Sequence, residues 1–271
     1  MFPEMRLEGK TAIVTGAGRG IGREVSLVLA EAGANIVLAA RTTDELNATA
    51  IDIRALGREA VVIPTDVRES SQVDFLVSQA LDHFEAVEIL VNNAGQLFRM
   101  PVVPLPDGVP SPSLVNRNTE YRITDEEWRG VMEVNLDGVF YCCRAVASHM
   151  IKQRYGKIIN ISSNNATQAF SLVAAYNASK AAVNMLTRVL ALEWAPYNVL
   201  VNAVGPGDYH TQMTDKTWTD PEERKRHLDR IPLHREGTLR ELGLLVAYLA
   251  SPASDYMTGQ TIYMDGGLTA K

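Results

Sequence analysis

Short, unbroken apolar runs alternate along the whole chain with longer segments in which apolar residues recur every three or four positions. The runs are TAIVT (11–15), NIVLAA (35–40), AVVIP (60–64), VEILVNN (87–93), KIINIS (157–162), VLVNAV (199–204) and QTIYM (260–264). Runs of this length, rich in β-branched residues and lacking polar alternation, suit strands that are covered on both faces. Between them, Ile21, Val25 and Leu29, then Val73, Val77 and Leu81, then Val183, Leu186 and Leu190 keep the spacing of amphipathic helices. Strand and helix in regular alternation predict an α/β fold, a doubly wound parallel sheet of about seven strands with helices on both faces.

With 271 residues, 46% of them hydrophobic, the chain can bury one large core, and residues 1–271 read as a single domain. A net charge of −6 supplies no polyanion-binding surface, which argues against a nucleic-acid partner. Glu4, Arg6 and Glu8 interrupt the start, and no later segment stays apolar long enough to span a bilayer. A cytoplasmic protein with no membrane partner is the expectation. Cys142 and Cys143 are adjacent within a helical pattern and read as packing thiols, and no histidines have metal-ligand spacing, so no metal is expected.

The stretch TAIVTGAGRGIGREVSLVLAEAG runs strand, glycine turn, helix, with Gly16, Gly18, Gly20 and Gly22 in the turn. Glycines allow the tight turn and let a pyrophosphate approach backbone N–H groups at the positive end of the helix, so a dinucleotide is the expected ligand. A fold of this kind that prefers NAD carries an acid at the end of its second strand, to hold the ribose 2′-hydroxyl. Here that strand ends Ala39, Ala40, Arg41, Thr42. The missing acid and the guanidinium of Arg41, with Arg19 as a second cation, favour NADP over NAD.

Farther on, Tyr176 and Lys180 stand four apart, on one face of a predicted helix, and Ser163 ends the preceding strand. An ammonium beside a phenol favours the phenolate, and a serine hydroxyl can donate to a substrate oxygen. With these residues the chain resembles the short-chain dehydrogenase/reductase family, in its branch with a Thr-Gly-x-x-x-Gly-x-Gly cofactor loop and Tyr-x-x-x-Lys. The matches are TGAGRGIG from Thr15, Asp66-Val67, NNAG from Asn92, Asn135 in EVNLDGVF, Ser163, Tyr176 with Lys180, Pro206-Gly207 followed by Thr211, and TGQTIYMDGG. They extend over almost the whole chain, and Ser163 precedes Tyr176 by the family's thirteen positions.

The resemblance implies a Rossmann-type fold and an oxidoreductase interconverting a ketone and a secondary alcohol, in the direction of reduction if NADPH is the cellular donor. Tyr176 is implied as general acid/base, Ser163 as the group polarising the reacting oxygen, and Lys180 as the group lowering the tyrosine pKa and holding the nicotinamide ribose. Asn135 is implied to hold a water that relays protons to Lys180. Gly16, Arg19, Gly20, Ile21 and Gly22 would meet the phosphates, Asp66 and Val67 the adenine, Asn93 and Gly95 the adjoining ribose. Pro206, Gly207, Tyr209 and Thr211 would meet the carboxamide; Tyr209 departs from the usual Ile or Val. Two other classes on this fold are a dinucleotide-binding regulator without turnover and a lyase or dehalogenase; the retained tyrosine, lysine and glycine loop argue against both.

The substrate is implied to be a small-molecule carbonyl or alcohol: a 3-oxoacyl group, a sugar or polyol, or a small cyclic ketone. A homo-oligomer, dimer or tetramer, is also implied. Residues 208–236 read as a substrate lid, in which Arg224, Lys225, Arg226, His227 and Arg230 alternate with acids as on a solvated helix face. From Gly95 to Asn135 run 40 positions, longer than the family pattern. The proline-rich 96–123 therefore reads as a loop insertion, forming a pocket wall or a subunit contact.

Overall fold

Every one of the apolar runs forms a strand in the computed structural model, which describes residues 2–105 and 122–270. The strands are β1 (Thr11–Thr15), β2 (Asn35–Ala40), β3 (Ala60–Pro64), β4 (Ile89–Asn92), β5 (Gly156–Ile161), β6 (Val199–Pro206) and β7 (Thr261–Met264). They pair in parallel as one sheet, in the order β3-β2-β1-β4-β5-β6-β7. The helices are α1 (Gly20–Glu31), α2 (Thr43–Ala55), α3 (Ser70–Phe84), α4 (Asp125–Met132), α5 (Gly138–Gln153), α6 (Ala174–Trp194), α7 (Asp215–Thr219), α8 (Pro221–Arg230) and α9 (Leu239–Ala250).

Successive side chains of a strand point to opposite faces, and β1 shows the consequence. Ala12 and Val14 enter a core with Leu29 of α1, Ile53 of α2 and Val246 of α9, whereas Ile13 enters a second core with Val77 of α3, Val146 of α5 and Val183 of α6. Both faces of the central strands are therefore dry, which is why their sequences carry no polar alternation. Each buried Ile, Leu or Val contributes about 1.5–3 kcal/mol relative to an exposed one. No helix among the described residues is long and apolar enough to cross a membrane.

Strand order reverses between β1 and β4, so the connections leaving their carboxyl ends diverge and open a crevice there. Behind it a buried polar network ties the second helical layer to the sheet. Asn92 and Asn160 face each other across β4 and β5. The Asn92 amide donates to Asn160 Oδ1 at 2.9 Å and to Cys143 Sγ at 3.3 Å, while Asn160 Nδ2 donates to Thr187 Oγ1 at 2.9 Å. One network thus joins α5 and α6 to the strands that end at the site. The two cysteines are free and buried, and burial pushes both thiols up, Cys143 to about 12.

The excursion 208–236 leaves β6 and returns through a bridge between Tyr209 and Gly237. The proline-rich loop lies mostly in 106–121, outside the described residues.

Replacing Asn160 by alanine removes one of the two acceptors of the Asn92 amide and the bond to Thr187. Urea unfolding is expected to show a loss of about 2–4 kcal/mol, against well under about 1 if the network merely fills space.

Candidate active site

A cavity of about 1040 Å³ runs along the carboxyl ends of the strands, from the glycine turn and the end of β2 to the first turns of α6. The turn is built around backbone that side chains would obstruct. Gly20 has φ +54°, in the left-handed region, and a Cβ on Gly22 would lie 2.2 Å from the Gly16 carbonyl oxygen and 2.4 Å from Asn93 Nδ2. Capping boxes close the N-termini of α4 and α9, but no side chain caps α1, where Gly20 and Ile21 line the cavity. Uncapped N–H groups and a positive helix end suit a pyrophosphate, and the elongated cavity suits a dinucleotide.

At the far end Arg41 and Thr42 are exposed and line the cavity beyond Ala40. Arg19 lines it too but pairs with Glu45 at 3.3 Å, so its charge is shared. Asp66 is gripped by Arg68 at 2.6 Å, and Arg68 above all, with help from Arg41, holds its carboxyl below the ordinary range. Val67 is buried against Gly138, where a Cβ would come within 2.8 Å of its side chain.

The other end gathers Ser163, just past β5, with Tyr176 and Lys180 from α6. Burial pushes the Tyr176 phenol up, while a hydrogen bond from Ser163 and the charge of Arg99 pull it down. Ser163 Oγ donates to Asn164 Oδ1 at 3.2 Å. Lys180 Nζ donates to the Ile161 carbonyl at 2.7 Å and lies 5.7 Å from the Tyr176 ring centre. Burial pushes it down to about 8.

Asn135 sits in a π-helical turn, Glu133–Asp137, between α4 and α5, and is wholly buried. Its Oδ1 accepts from the Gln96 N–H at 2.8 Å, and its Nδ2 donates to the Gln96 carbonyl at 2.9 Å and to Ser179 Oγ at 3.1 Å. Both amide protons are spent, so a water here has only the second Oδ1 lone pair or the main chain to bind. Asn93 is also committed: its Nδ2 donates to the Thr15 carbonyl at 2.9 Å, and its N–H to Thr15 Oγ1 at 3.0 Å. Gly95 leaves the space next to Asn135 and Lys180 open, since a Cβ there would approach Lys180 Nζ to 3.8 Å.

Pro206, Gly207, Tyr209 and Thr211 line the cavity where the chain leaves β6. The Tyr209 ring is buried against Gly237 and its hydroxyl donates to the Met264 carbonyl at 3.1 Å. Its own carbonyl accepts from Thr214 Oγ1 and Trp218 Nε1. Within residues 208–236 Lys225 pairs with Asp229, Arg224 with Glu236 and His227 with Asp208, and Arg230 stacks on Phe170.

A model of the short chain dehydrogenase family matches residues 10–222. The 2-dehydro-3-deoxy-D-gluconate 5-dehydrogenase of Escherichia coli is 37% identical over 98% of this chain and 97% of its own. The 3-oxoacyl-[acyl-carrier-protein] reductase FabG of Staphylococcus epidermidis is 36% identical over 96% and 98%. The chain belongs to the short-chain dehydrogenase family. A gluconate 5-dehydrogenase from Burkholderia cenocepacia, solved with NADP and tartrate, superposes with a TM-score of 0.89 at 37% identity, over 99% of this chain and 98% of that one.

Within this short-chain dehydrogenase the predicted site residues other than Gly22 and Asn135 line one cavity, whereas the polar side chains that fasten them escaped the sequence reading. Thr15, Gln96 and Ser179 carry no individual signal, because their partners are backbone groups brought together by the fold. Arg99 was legible only as part of the long loop.

Two substitutions test the geometry. Gly22→Ala forces the Gly16 carbonyl and Asn93 apart, so NADPH affinity is expected to fall at least about tenfold by fluorescence titration; unchanged affinity would contradict the cradle. For Lys180, the folded-state value near 8 lies below the ordinary 10.5, so the unfolded chain holds more protons between those pH values. The ammonium's desolvation penalty is complete below pH 8 and is relieved as pH rises toward 10.5. After loss of the Ile161 bond, Lys180→Met should stabilise the cofactor-free protein by about 1–2 kcal/mol at pH 7. That gain should shrink toward pH 10; a gain independent of pH would contradict the assignment.

Proposed function

We propose that the chain is an NADP-dependent oxidoreductase that interconverts a ketone and a secondary alcohol, with Tyr176 as general acid/base. The observation that carries this reading is the convergence of Ser163, Tyr176 and Lys180 at one end of a cavity whose other end presents the glycine turn and Arg41. When bound, NADPH supplies the hydride. The turn from Gly16 to Gly22 would hold the pyrophosphate, and Arg41, Thr42 and Arg19 the 2′-phosphate. Lys180 would hold the nicotinamide ribose, and Pro206 to Thr211 the carboxamide.

During reduction the Tyr176 phenol gives its proton to the substrate oxygen as negative charge develops there, and Ser163 donates a second hydrogen bond to that oxygen. Burial keeps the phenol protonated at neutral pH, the form an acid needs; oxidation uses the same atoms in reverse. Lys180, near 8, is still an ammonium at pH 7. With a cofactor bound it would give up the Ile161 carbonyl for the ribose hydroxyls. Asn135 positions this set through Ser179, which donates to the Tyr176 carbonyl at 2.8 Å. The relatives' names, a sugar-acid 5-dehydrogenase and a 3-oxoacyl reductase, describe the same exchange at a secondary carbon.

The reading includes a homo-oligomer. Met185, Val189 and Leu192 follow one face of α6 and are exposed, as is Phe140 on α5, an apolar surface that a second copy would cover.

Tyr176→Phe is expected to lower kcat by about 10²–10⁴ with NADPH affinity kept within about threefold, measured by NADPH absorbance on a substrate the parent turns over. Parent-like turnover would end the mechanism. Arg41→Ala should weaken NADPH binding about tenfold or more and leave NADH unchanged; an equal effect on both would remove Arg41 from the 2′-phosphate.

A further inference from the structure

Resting on that placement of the 2′-phosphate, we propose that Glu45 limits the preference for NADP: its carboxylate competes with the 2′-phosphate for Arg19, so that NADPH binding requires Glu45 to let Arg19 go. Glu45 and Arg19 both line the cavity beside Arg41 and Thr42. Arg19 Nη1 donates to Glu45 Oε1 at 3.3 Å. A Cβ on Gly18 would meet Glu45 Cβ at 2.8 Å and Oε2 at 3.1 Å, so the glutamate lies against the glycine turn itself. The fold keeps it there. One turn farther along α2, the Thr49 hydroxyl lies 3.3 Å from the Ala17 carbonyl and 3.4 Å from that of Gly18, and Asp52 pairs with Arg23 of α1 at 2.6 Å.

The first turn of α2 shows that this carboxylate has left another place to reach Arg19. Thr42-x-x-Glu45 repeats the pattern of Thr124-x-x-Glu127 at α4 and Thr238-x-x-Glu241 at α9. In both of those the glutamate turns back and accepts from the threonine N–H at 2.8 Å. The threonine hydroxyl accepts in turn from the glutamate N–H, at 3.1 Å in α4 and 3.2 Å in α9, closing the reciprocal cap that the pattern favours. At α2 no side chain caps the helix, Thr42 faces the cavity, and Glu45 reaches Arg19 instead. An acid gains from the positive end of the helix in either position, so the guanidinium decides between them.

A phosphate monoester brings about two negative charges. Glu45 and Asp66, on the same wall, offset much of what Arg19, Arg41 and Arg68 offer it. NADH has a hydroxyl at that position, so the opposition of Glu45 falls on NADPH. Arg19 is exposed, and an exposed ion pair holds weakly, which makes the exchange easy. Released, Glu45 has its own cap to close, as Glu127 and Glu241 do; a glutamine serves that cap as well.

Titration of nicotinamide fluorescence with NADPH and NADH tests the proposal on the parent, Glu45→Gln and Arg41→Ala. Glu45→Gln removes the charge and keeps the cap. It is expected to bind NADPH about 3–10-fold more tightly, with NADH within about twofold, and the gain should shrink at high salt. In a crystal structure of the parent with NADP, Glu45 should accept from the Thr42 N–H and Arg19 should contact the 2′-phosphate. NADPH binding by Glu45→Gln that is unchanged or weaker, or tightened equally for NADH, would overturn the proposal, as would an Arg19–Glu45 pair kept beside the bound phosphate. If Arg41→Ala stays selective for NADPH in those cases, the placement of the 2′-phosphate survives. Equal effects of Arg41→Ala on both cofactors would overturn that placement and the proposal with it.

Discussion

The seam between β1 and β4 is the constraint on which the rest of the site depends. Thr15 Oγ1 receives N–H groups from Asn93 and Ala94, while the Asn93 amide donates to the carbonyls of Thr15 and Gly16. These bonds close the end of the sheet where strand order reverses and hold the glycine turn against the fourth strand. Gly22 then approaches so closely that no side chain fits. From the seam the chain passes to Gln96, which exchanges two hydrogen bonds with Asn135. Asn135 holds Ser179, and Ser179 holds the Tyr176 carbonyl. The glycine turn and the start of α6 are therefore tied by two sets of hydrogen bonds joined through the chain from Asn93 to Gln96. A π turn at Asn135 is the local departure from regular helix that aims its side chain inward.

Electrostatics divides the same cavity by task. Cations with acidic partners, Arg19 with Glu45 and Arg68 with Asp66, lie at the adenosine end, joined by exposed Arg41. At the end where α6 enters, burial acts on Tyr176 and Lys180 in opposite senses, raising the phenol and lowering the ammonium. Both shifts favour the neutral form. Such a site holds its groups at a cost to the stability of the fold, a common trade at catalytic centres. The network around Asn92, Asn160 and Thr187 lies directly behind it and ties α5 and α6 to the strands.

The sheet was legible in the sequence because its strands are dry on both faces, and unbroken apolar runs have few other uses. The seven runs match the seven strands of the described residues to within two residues at each end. The glycine turn and the Ser163, Tyr176 and Lys180 set were legible because their chemistry needs fixed spacing. The π turn was not, since one extra residue in a helical turn leaves no compositional trace. Tyr209 read as a departure that would reshape the pocket, and the structure turns its ring against Gly237, where its hydroxyl bonds the Met264 carbonyl. The pairing of Arg19 with Glu45 depends on segments distant in sequence, which local pattern does not report. The interior of the long loop, 106–121, lies outside the described residues.

The central claim is hydride transfer to a carbonyl carbon with proton delivery by Tyr176. A single turnover with NADPH carrying deuterium on the transferring face of C4, followed by mass spectrometry of the alcohol, tests it most directly. One deuterium on the carbinol carbon in the parent, and none formed by Tyr176→Phe on the same timescale, is the result expected. An alcohol without the label, or labelled alcohol formed as fast by the variant, would contradict the account.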